Sequence, residues 1–250
     1  MNKEKFIKTT IILIIGGAIT KVLGMVIKIV MTRLIGLEGL GLYYLIFPTF
    51  SLFMCLSQLS LPVAISKLVS EEKHNNKKIV TSSLPIIFIT NTILMLVIVF
   101  CSPYIASFLL RDERCYFPIL AIALVLPFEA ISNMLRGYFF GKQRMFPHVV
   151  SHVIEQFVRL ALIILVIPDL VQQNVIYAVS FLILINLVSE LVSIFVLLFF
   201  LPRNVKIHRH DFVPDRKEVR NILGISLPTT GSRLVGNIGY FLEPIIITFV

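Results

Sequence analysis

The sequence predicts an all-α fold, a polytopic bundle of membrane helices, and three observations carry that prediction. Apolar residues fill 57% of the 250 positions, and the mean hydropathy is +0.91. Charged residues make up only 15%, against about 25% in a soluble domain. The apolar residues gather into runs of roughly 20 or more, the length that crosses a bilayer, and the charges fall mostly between the runs. These facts exclude a soluble globule and a disordered tail. The net charge of +9 would suit a nucleic-acid partner in another setting. Here the basic residues form short clusters between apolar runs, which is how membrane loops are laid out, so no nucleic acid is expected.

Seven spans follow in order, each placed to within a few residues. The first, roughly 7–35, follows Lys3, Lys5 and Lys8 and continues past Lys21 with no small-residue cleavage site, so it reads as a retained span rather than a signal peptide. The second, 42–66, follows a glycine-bounded break at 36–41, and the third, 79–109, follows the charged stretch 71–78. Arg111 and Arg114 precede the fourth, 116–140, and a turn from Gly141 to Pro147 precedes the fifth, 147–168. Pro168 to Asn174 breaks the chain before the sixth, 173–201; the basic stretch 202–217 leads to the seventh, 219–250. Pro48, Pro62, Pro127, Pro228 and Pro244 fall inside spans, where neighbouring helices or a wet cavity satisfy the freed carbonyls.

Lysines and arginines orient the bundle. Sixteen of them fall on the side of the N-terminus and of the loops after spans two, four and six. Three, Arg33, Arg111 and Arg114, fall on the other. By the positive-inside rule the N-terminus is cytoplasmic and the protein is a multi-pass component of the cytoplasmic membrane. The expected organisation is a six-helix lobe over 1–201, a basic cytoplasmic linker over 202–218, and the first helix of a second, incomplete lobe over 219–250. The chain stops at Val250 inside an apolar run, so it is expected to be the first part of a longer protein.

An internal repeat points the same way. Thr20-Lys21-Val22-Leu23-Gly24 in span one matches Ser232-Arg233-Leu234-Val235-Gly236 in span seven, position by position, at an offset of 212 residues. Both cations lie about 14 residues into their spans, roughly 21 Å along the helix. Two parallel six-helix repeats around a central cavity would produce that pattern.

The remaining charges inside spans are candidate functional groups, because a charge at the bilayer centre costs about 2.5–3.5 kcal/mol or more unless it meets a partner or water. Gly17, Lys21, Gly24 and Lys28 share one face of span one and suit an anionic ligand; the alternative for Lys28 is a side chain snorkelling to the interface. In span five Glu155 and Arg159 stand at i and i+4 beside Gln156, either as a structural pair or as part of a site. Glu129, Asn133 and Arg136 share a face of span four, with Arg136 near enough to the cytoplasmic end for a headgroup contact. Glu190 in span six has no local partner, so it either carries a proton or sodium ion or pairs with a base on another helix. Arg233 and Glu243 complete the set in span seven.

Other signals are weaker. His148 and His152 share a face with Glu155, imitating a zinc site at the start of a helix, but helix geometry beside a basic loop favours no metal. Gly137 and Gly141 have small-residue packing spacing. Cys55, Cys101 and Cys115 form no pair or ligand set and read as inert apolar residues. There is no phosphate-binding loop, no nucleophile triad and no loop longer than about 17 residues to hold a catalytic domain. Movement of a substrate is expected rather than an enzymatic reaction, with no cofactor beyond proton or sodium coupling.

The segment Leu135-Arg136-Gly137-Tyr138-Phe139-Phe140-Gly141-Lys142-Gln143-Arg144-Met145, followed by Val150-Ser151-His152-Val153-Ile154-Glu155-Gln156-Phe157-Val158-Arg159, resembles the stage V sporulation protein B branch of the polysaccharide-biosynthesis flippases. So do Arg33-Leu34-Ile35-Gly36, Phe47-Pro48-Thr49, Leu61-Pro62-Val63-Ala64 and Phe241-Leu242-Glu243-Pro244. That branch lies in the multidrug/oligosaccharidyl-lipid/polysaccharide exporter superfamily. The resemblance implies two pseudo-symmetric lobes of twelve to fourteen helices in all. It also implies an undecaprenyl-pyrophosphate-linked glycan or peptidoglycan precursor as substrate, a role in spore cortex or cell-wall synthesis, and cell-wall synthesis enzymes and membrane lipids as partners. Lipid II flippases carry cavity arginines in spans one and two; Lys21 matches the first by position, while residues 52–57, which correspond to the second, carry no charge. On this reading Lys21, Lys28, Arg136, Arg159 and Arg233 bind substrate. Glu129, Glu155, Gln156, Glu190 and Glu243 couple ions or hold the bases. The rival expectations are a cation-coupled drug exporter of the same superfamily and a nonfunctional truncated copy.

Overall fold

A computed structural model of the chain describes residues 3–71, 75–202 and 215–249. Among them the secondary structure is helical throughout, as the composition predicts. Helix α1 spans Lys3–Gln58, which at 1.5 Å per residue is about 84 Å, nearly three times the hydrocarbon thickness. It is not straight. Gly36 sits at φ 67°, ψ −173°, a backbone state that a residue without Cβ adopts freely. Gly24 and Lys28 from the first arm line one cavity with Tyr43, Tyr44 and Phe47 from the second. A straight helix would hold Gly24 and Phe47 roughly 34 Å apart, so the chain folds back at Gly36. Spans one and two are the two arms, and the break between them is one residue, not the six expected.

The second expected span, 42–66, is also interrupted. Leu59 and Ser60 adopt positive φ of 45° and 48°, and Pro62 opens a new helix, α2, Leu61–Ser70. Proline is suited to a first turn because its missing N–H has no partner there anyway. Asn75 caps α3, Asn76–Tyr104, accepting from Lys77 N at 3.0 Å. A π-turn over Ile105–Leu109 and a 3₁₀ turn over Glu113–Cys115 lead into α4, Tyr116–Gly141. The fifth span outruns its prediction: α5, Met145–Gln173, keeps Pro168 inside the helix and ends at Asn174. Asn174 then caps α6, Val175–Phe200. The interior of the expected linker, 203–214, lies outside the described residues, and α7 covers Arg216–Phe249.

Five helical stretches are long and apolar enough to cross a membrane: Thr9–Ser70, Asn76–Leu109, Glu113–Gly141, Met145–Gln173 and Val175–Phe200. The first is folded back on itself and supplies two crossings, giving the six-span lobe. The seventh expected span is a helix but does not qualify on length and composition. Glu218, Arg220, Arg233 and Glu243 interrupt its apolar run.

Helix α4 is the axis of the bundle. Its residues pack with α2, α3 and the start of α7 through Met134, Leu135 and Phe139, and with α1, α3 and α6 through Ile119, Ile122 and Leu126. A third cluster joins Ile27 and Met31 of α1 to Ile163 of α5 and Ile185 of α6. The outer surface is apolar: Phe100, Phe195, Phe199 and Leu165 are mostly exposed, which fits lipid and not water. Lipid gives helices no hydrophobic reason to associate, so close approach and polar ties matter. A Cβ on Gly137 would lie 2.7 Å from the Pro62 backbone, and one on Gly141 2.6 Å from Ser66 O. The packing role expected of that pair is therefore seen, between α4 and α2. Ser57 adds a buried tie, donating to Asn91 Oδ1 at 2.6 Å and to Leu126 O at 3.1 Å.

A charged cleft as the candidate functional site

The i, i+4, i+7 spacing in α4 puts Glu129, Asn133 and Arg136 on one face, and that face turns inward. Arg136 is only 5% exposed, so its guanidinium belongs to the interior of the bundle. The turn after Gly141 brings α5 back beside α4, so that residues nearly equidistant from the turn meet. Arg136 Nη2 donates to Glu155 Oε2 at 2.6 Å, to Ser193 Oγ at 2.7 Å and, at the limit of a bond, to Glu190 Oε2 at 3.4 Å. Its Nη1 donates to Asn133 Oδ1 at 3.3 Å, and Asn133 Nδ2 donates to Glu129 Oε1 at 2.9 Å.

Glu155 is the hub. Its second oxygen accepts from Arg159 Nη2 at 2.6 Å, and His152 Nδ1 lies 3.3 Å from Oε2. The i, i+4 pair expected from the sequence forms, but a cross-helix guanidinium shares it. Glu190 has a partner on another helix, Arg136 of α4, at the limit of bonding distance. Breaking such a pair by removing one partner leaves an uncompensated buried charge, at a cost of about 3–5 kcal/mol.

These groups border a cleft of about 480 Å³ between α1, α4, α5, α6 and α7. Glu129, Glu155, Glu190, Arg136, Arg159 and Arg233 all line it. A second cavity of about 330 Å³ shares Tyr43, Phe47, Gln156, Arg159 and Asn186 with the cleft and extends it to Lys28 and Tyr240. Five predicted binding residues are thus sorted. Lys28, Arg159 and Arg233 line the continuous cleft, as does Arg136, whose guanidinium is engaged by the carboxylates. Lys21 is exposed on the first arm of α1 and lines neither cavity, about 4.5 Å along the helix from Gly24. Gln156 lines both cavities, and Glu243 is exposed and lines neither.

The sequence reading missed Ser193 and Asn237, which accepts from Ser51 Oγ at 2.9 Å and ties α7 to α1, while the shared face of His152 and Glu155 was read from their spacing. Ser193 stands three residues after Glu190, on its helix face, a signal that was available. Among the described residues no group of three or more His, Cys, Asp or Glu could hold a metal ion. The three cysteines are free, but Cys101 is exposed on the apolar outer surface rather than buried.

A folded-back first helix, a charged cleft in the midst of long apolar helices and no extramembrane domain among the described residues define a class: a multi-pass membrane protein with a transporter fold. The chain belongs to the polysaccharide biosynthesis protein family, whose model matches residues 6–250. It is 39% identical over 257 residues to stage V sporulation protein B of Bacillus subtilis (strain 168), covering 99% of this chain and 50% of that protein. Lipid II flippase MurJ of the same organism is 28% identical over 172 residues, covering 63% of this chain and 31% of that protein. Among solved structures, a MATE protein in complex with MaD5 superposes with a TM-score of 0.75 at 19% identity, over 96% of this chain and 56% of that one. A transporter of the MOP superfamily from Pyrococcus furiosus gives 0.69 at 19% identity, over 96% and 54%. The chain spans about half the length of stage V sporulation protein B, and less of the flippase. These relatives are transport or sporulation proteins, and the fold is that of the transporters, not of an enzyme.

Proposed function

We propose that the chain is the cation-lined half of a flippase that moves an undecaprenyl-pyrophosphate-linked glycan or peptidoglycan precursor across the cytoplasmic membrane, with its N-terminus inside. The observation that carries this reading is the division of labour in the cleft. Glu155 pairs with both Arg136 and Arg159, Glu190 reaches Arg136, and Glu129 joins it through Asn133, while Lys28 and Arg233 face the same continuous space with no ion pair among the described residues. Those two cations, with the outer edge of Arg159, attract the pyrophosphate in a low-dielectric cleft where charge attraction is strong. Lys21 extends the cationic face of α1 beyond the cleft. Alternation of this lobe against a second one would carry the headgroup across without any bond being made or broken.

Glu129 and Glu190 are the groups for proton or sodium coupling, since Glu155 is fully engaged by two guanidiniums. Cell-wall synthesis enzymes would supply and consume the substrate, and the similarity to stage V sporulation protein B favours the spore cortex as the destination. A second reading, a cation-coupled drug exporter, is favoured by one observation: the cleft holds as many carboxylates as arginines. Replacing Arg233 with Gln in the sporulating host separates the two. Accumulation of lipid-linked precursor and loss of cortex, with normal membrane levels of the protein, support the flippase. Normal cortex together with lost resistance to cationic drugs supports the exporter.

A further inference from the structure

On the far side of Arg136 from the cleft, the face between α2, α4 and α5 holds another cavity, of about 560 Å³. Its polar lining is Ser66, Lys67, Ser70, Asn133, Arg136, His148 and His152, and no acidic residue lines it. That reverses the character of the cleft. Glu155 and Glu190, the partners of Arg136, line the cleft and not this pocket. The Nε of Arg136, a buried donor, has no hydrogen-bond partner. A neutral imidazole keeps one N–H and a protonated one has two, so His148 has a donor at any pH, while His152 Nδ1 lies 3.3 Å from Glu155 Oε2 on the cleft side. Lys67 adds an exposed ammonium at the rim.

The other wall is apolar. Pro62 and Gly137 pack backbone to backbone at its floor, and Val63 and Phe140, 49% and 48% exposed, stand at its mouth. Phe146, 55% exposed, lies just beyond. The pocket therefore opens onto the lipid-facing surface, at the basic end of the bundle where Lys142 and Arg144 also lie. Anionic headgroups concentrate at such an end.

We propose that this lateral pocket binds the phosphate headgroup of an anionic membrane phospholipid, with its acyl chains running past Val63 and Phe140. A phosphodiester needs N–H and O–H donors, positive charge and the absence of carboxylates, and an acyl chain needs the apolar mouth. No free anion has a use for both. The pocket adjoins the substrate cleft and shares Asn133, Arg136 and His152 with it, so a bound lipid touches the guanidinium that organises the transport site.

The test is thermal unfolding of the purified protein in detergent, titrated with phosphatidylglycerol, with phosphatidylcholine and with sodium phosphate. Phosphatidylglycerol should raise Tm saturably, and phosphatidylcholine should not. The double variant Lys67→Gln/His148→Gln should need at least about tenfold more phosphatidylglycerol, the change expected on losing hydrogen bonds to a charged group, while its lipid-free Tm stays that of the parent. If the double variant is unstable, the exposed Lys67→Gln change alone carries the test, with the same direction expected. Equal responses to the two lipids, or an unchanged titration in the variants, overturn the proposal. An equal response to sodium phosphate replaces the lipid with a free anion and overturns it as well. None of these outcomes depends on what the cleft transports.

Discussion

Glu155 holds two arginines with its two oxygens at 2.6 Å each, one on its own helix and one across the bundle. Glu155→Ala should therefore destabilise the protein by about 3–5 kcal/mol, read as a lowered Tm with no change in helix content of the folded state. Glu155→Gln, which keeps an acceptor for one of them, should lose less. At the cleft the order of effects follows position. Arg233, exposed and without an ion pair among the described residues, should matter for transport and little for stability: Arg233→Gln should leave the unfolding free energy within about 0.5 kcal/mol of the parent. Lys21→Ala should impair transport less than Lys28→Ala, because Lys21 lines neither cavity and Lys28 lines one; initial rates of substrate translocation decide it. Much of this site was legible in residue spacing. Glu129, Asn133 and Arg136 share a face by arithmetic, and so do Glu155 and Arg159. What spacing could not show is that α4, α5 and α6 bring those faces together around Arg136, because long-range partners are fixed by packing. That is why Arg136 read as close to the cytoplasmic end and Glu190 as lacking a local partner.

The elements depend on two glycine devices that tertiary structure explains better than the linear pattern does. Gly36 reverses the first helix in a single residue, and a larger side chain there meets left-handed backbone strain of about 1–2 kcal/mol. Gly137 and Gly141 let the α4 backbone touch α2. Gly137→Leu should destabilise the protein by an amount typical of overpacking, about 1–3 kcal/mol, read as a lowered Tm, and the loss should be greater than for Gly224→Leu in α7, where a Cβ meets open space. The start of α7 is fastened at the membrane edge. Lys78 Nζ donates to Asp215 Oδ2 at 3.0 Å, and Asp215 N donates to Ser82 Oγ at 3.1 Å. The hydrogen bond from Lys78, with the Lys217 amide, holds the Asp215 carboxyl below the usual carboxylate range. A depressed pKa contributes stability that is present above the unfolded value, near 3.9, and is lost as pH falls through the folded one. Amide protection at the first turn of α7, corrected for the intrinsic exchange rate at each pH, should therefore be constant from pH 7 to about pH 5 and fall below about pH 4. Asp215→Asn should abolish that pH dependence. The span boundaries were the least readable part. Proline marked no end at Pro168, which the helix absorbs, yet the break at Leu59 and Ser60 comes just before Pro62. Neighbouring helices decide whether a proline is tolerated, and the linear pattern does not contain them.

At the scale of the whole molecule, composition alone was enough for the fold class. An apolar fraction of 57% with only 15% charge leaves few alternatives to a membrane bundle, and the family match over residues 6–250 agrees. The seventh expected span is a helix whose apolar residues are interleaved with Arg233 and Asn237, which line the cleft, and with the exposed Glu243. The central claim is that the cleft attracts an anionic lipid-linked headgroup through Lys28, Arg159 and Arg233. The most direct measurement reconstitutes the protein in proteoliposomes and follows translocation of a fluorescent undecaprenyl-pyrophosphate-linked disaccharide in the parent, Arg233→Gln and Arg233→Glu. The account predicts a graded loss, at least about tenfold for the neutral variant and more for the charge reversal, with Tm unchanged. Translocation at the parental rate in Arg233→Glu would contradict it.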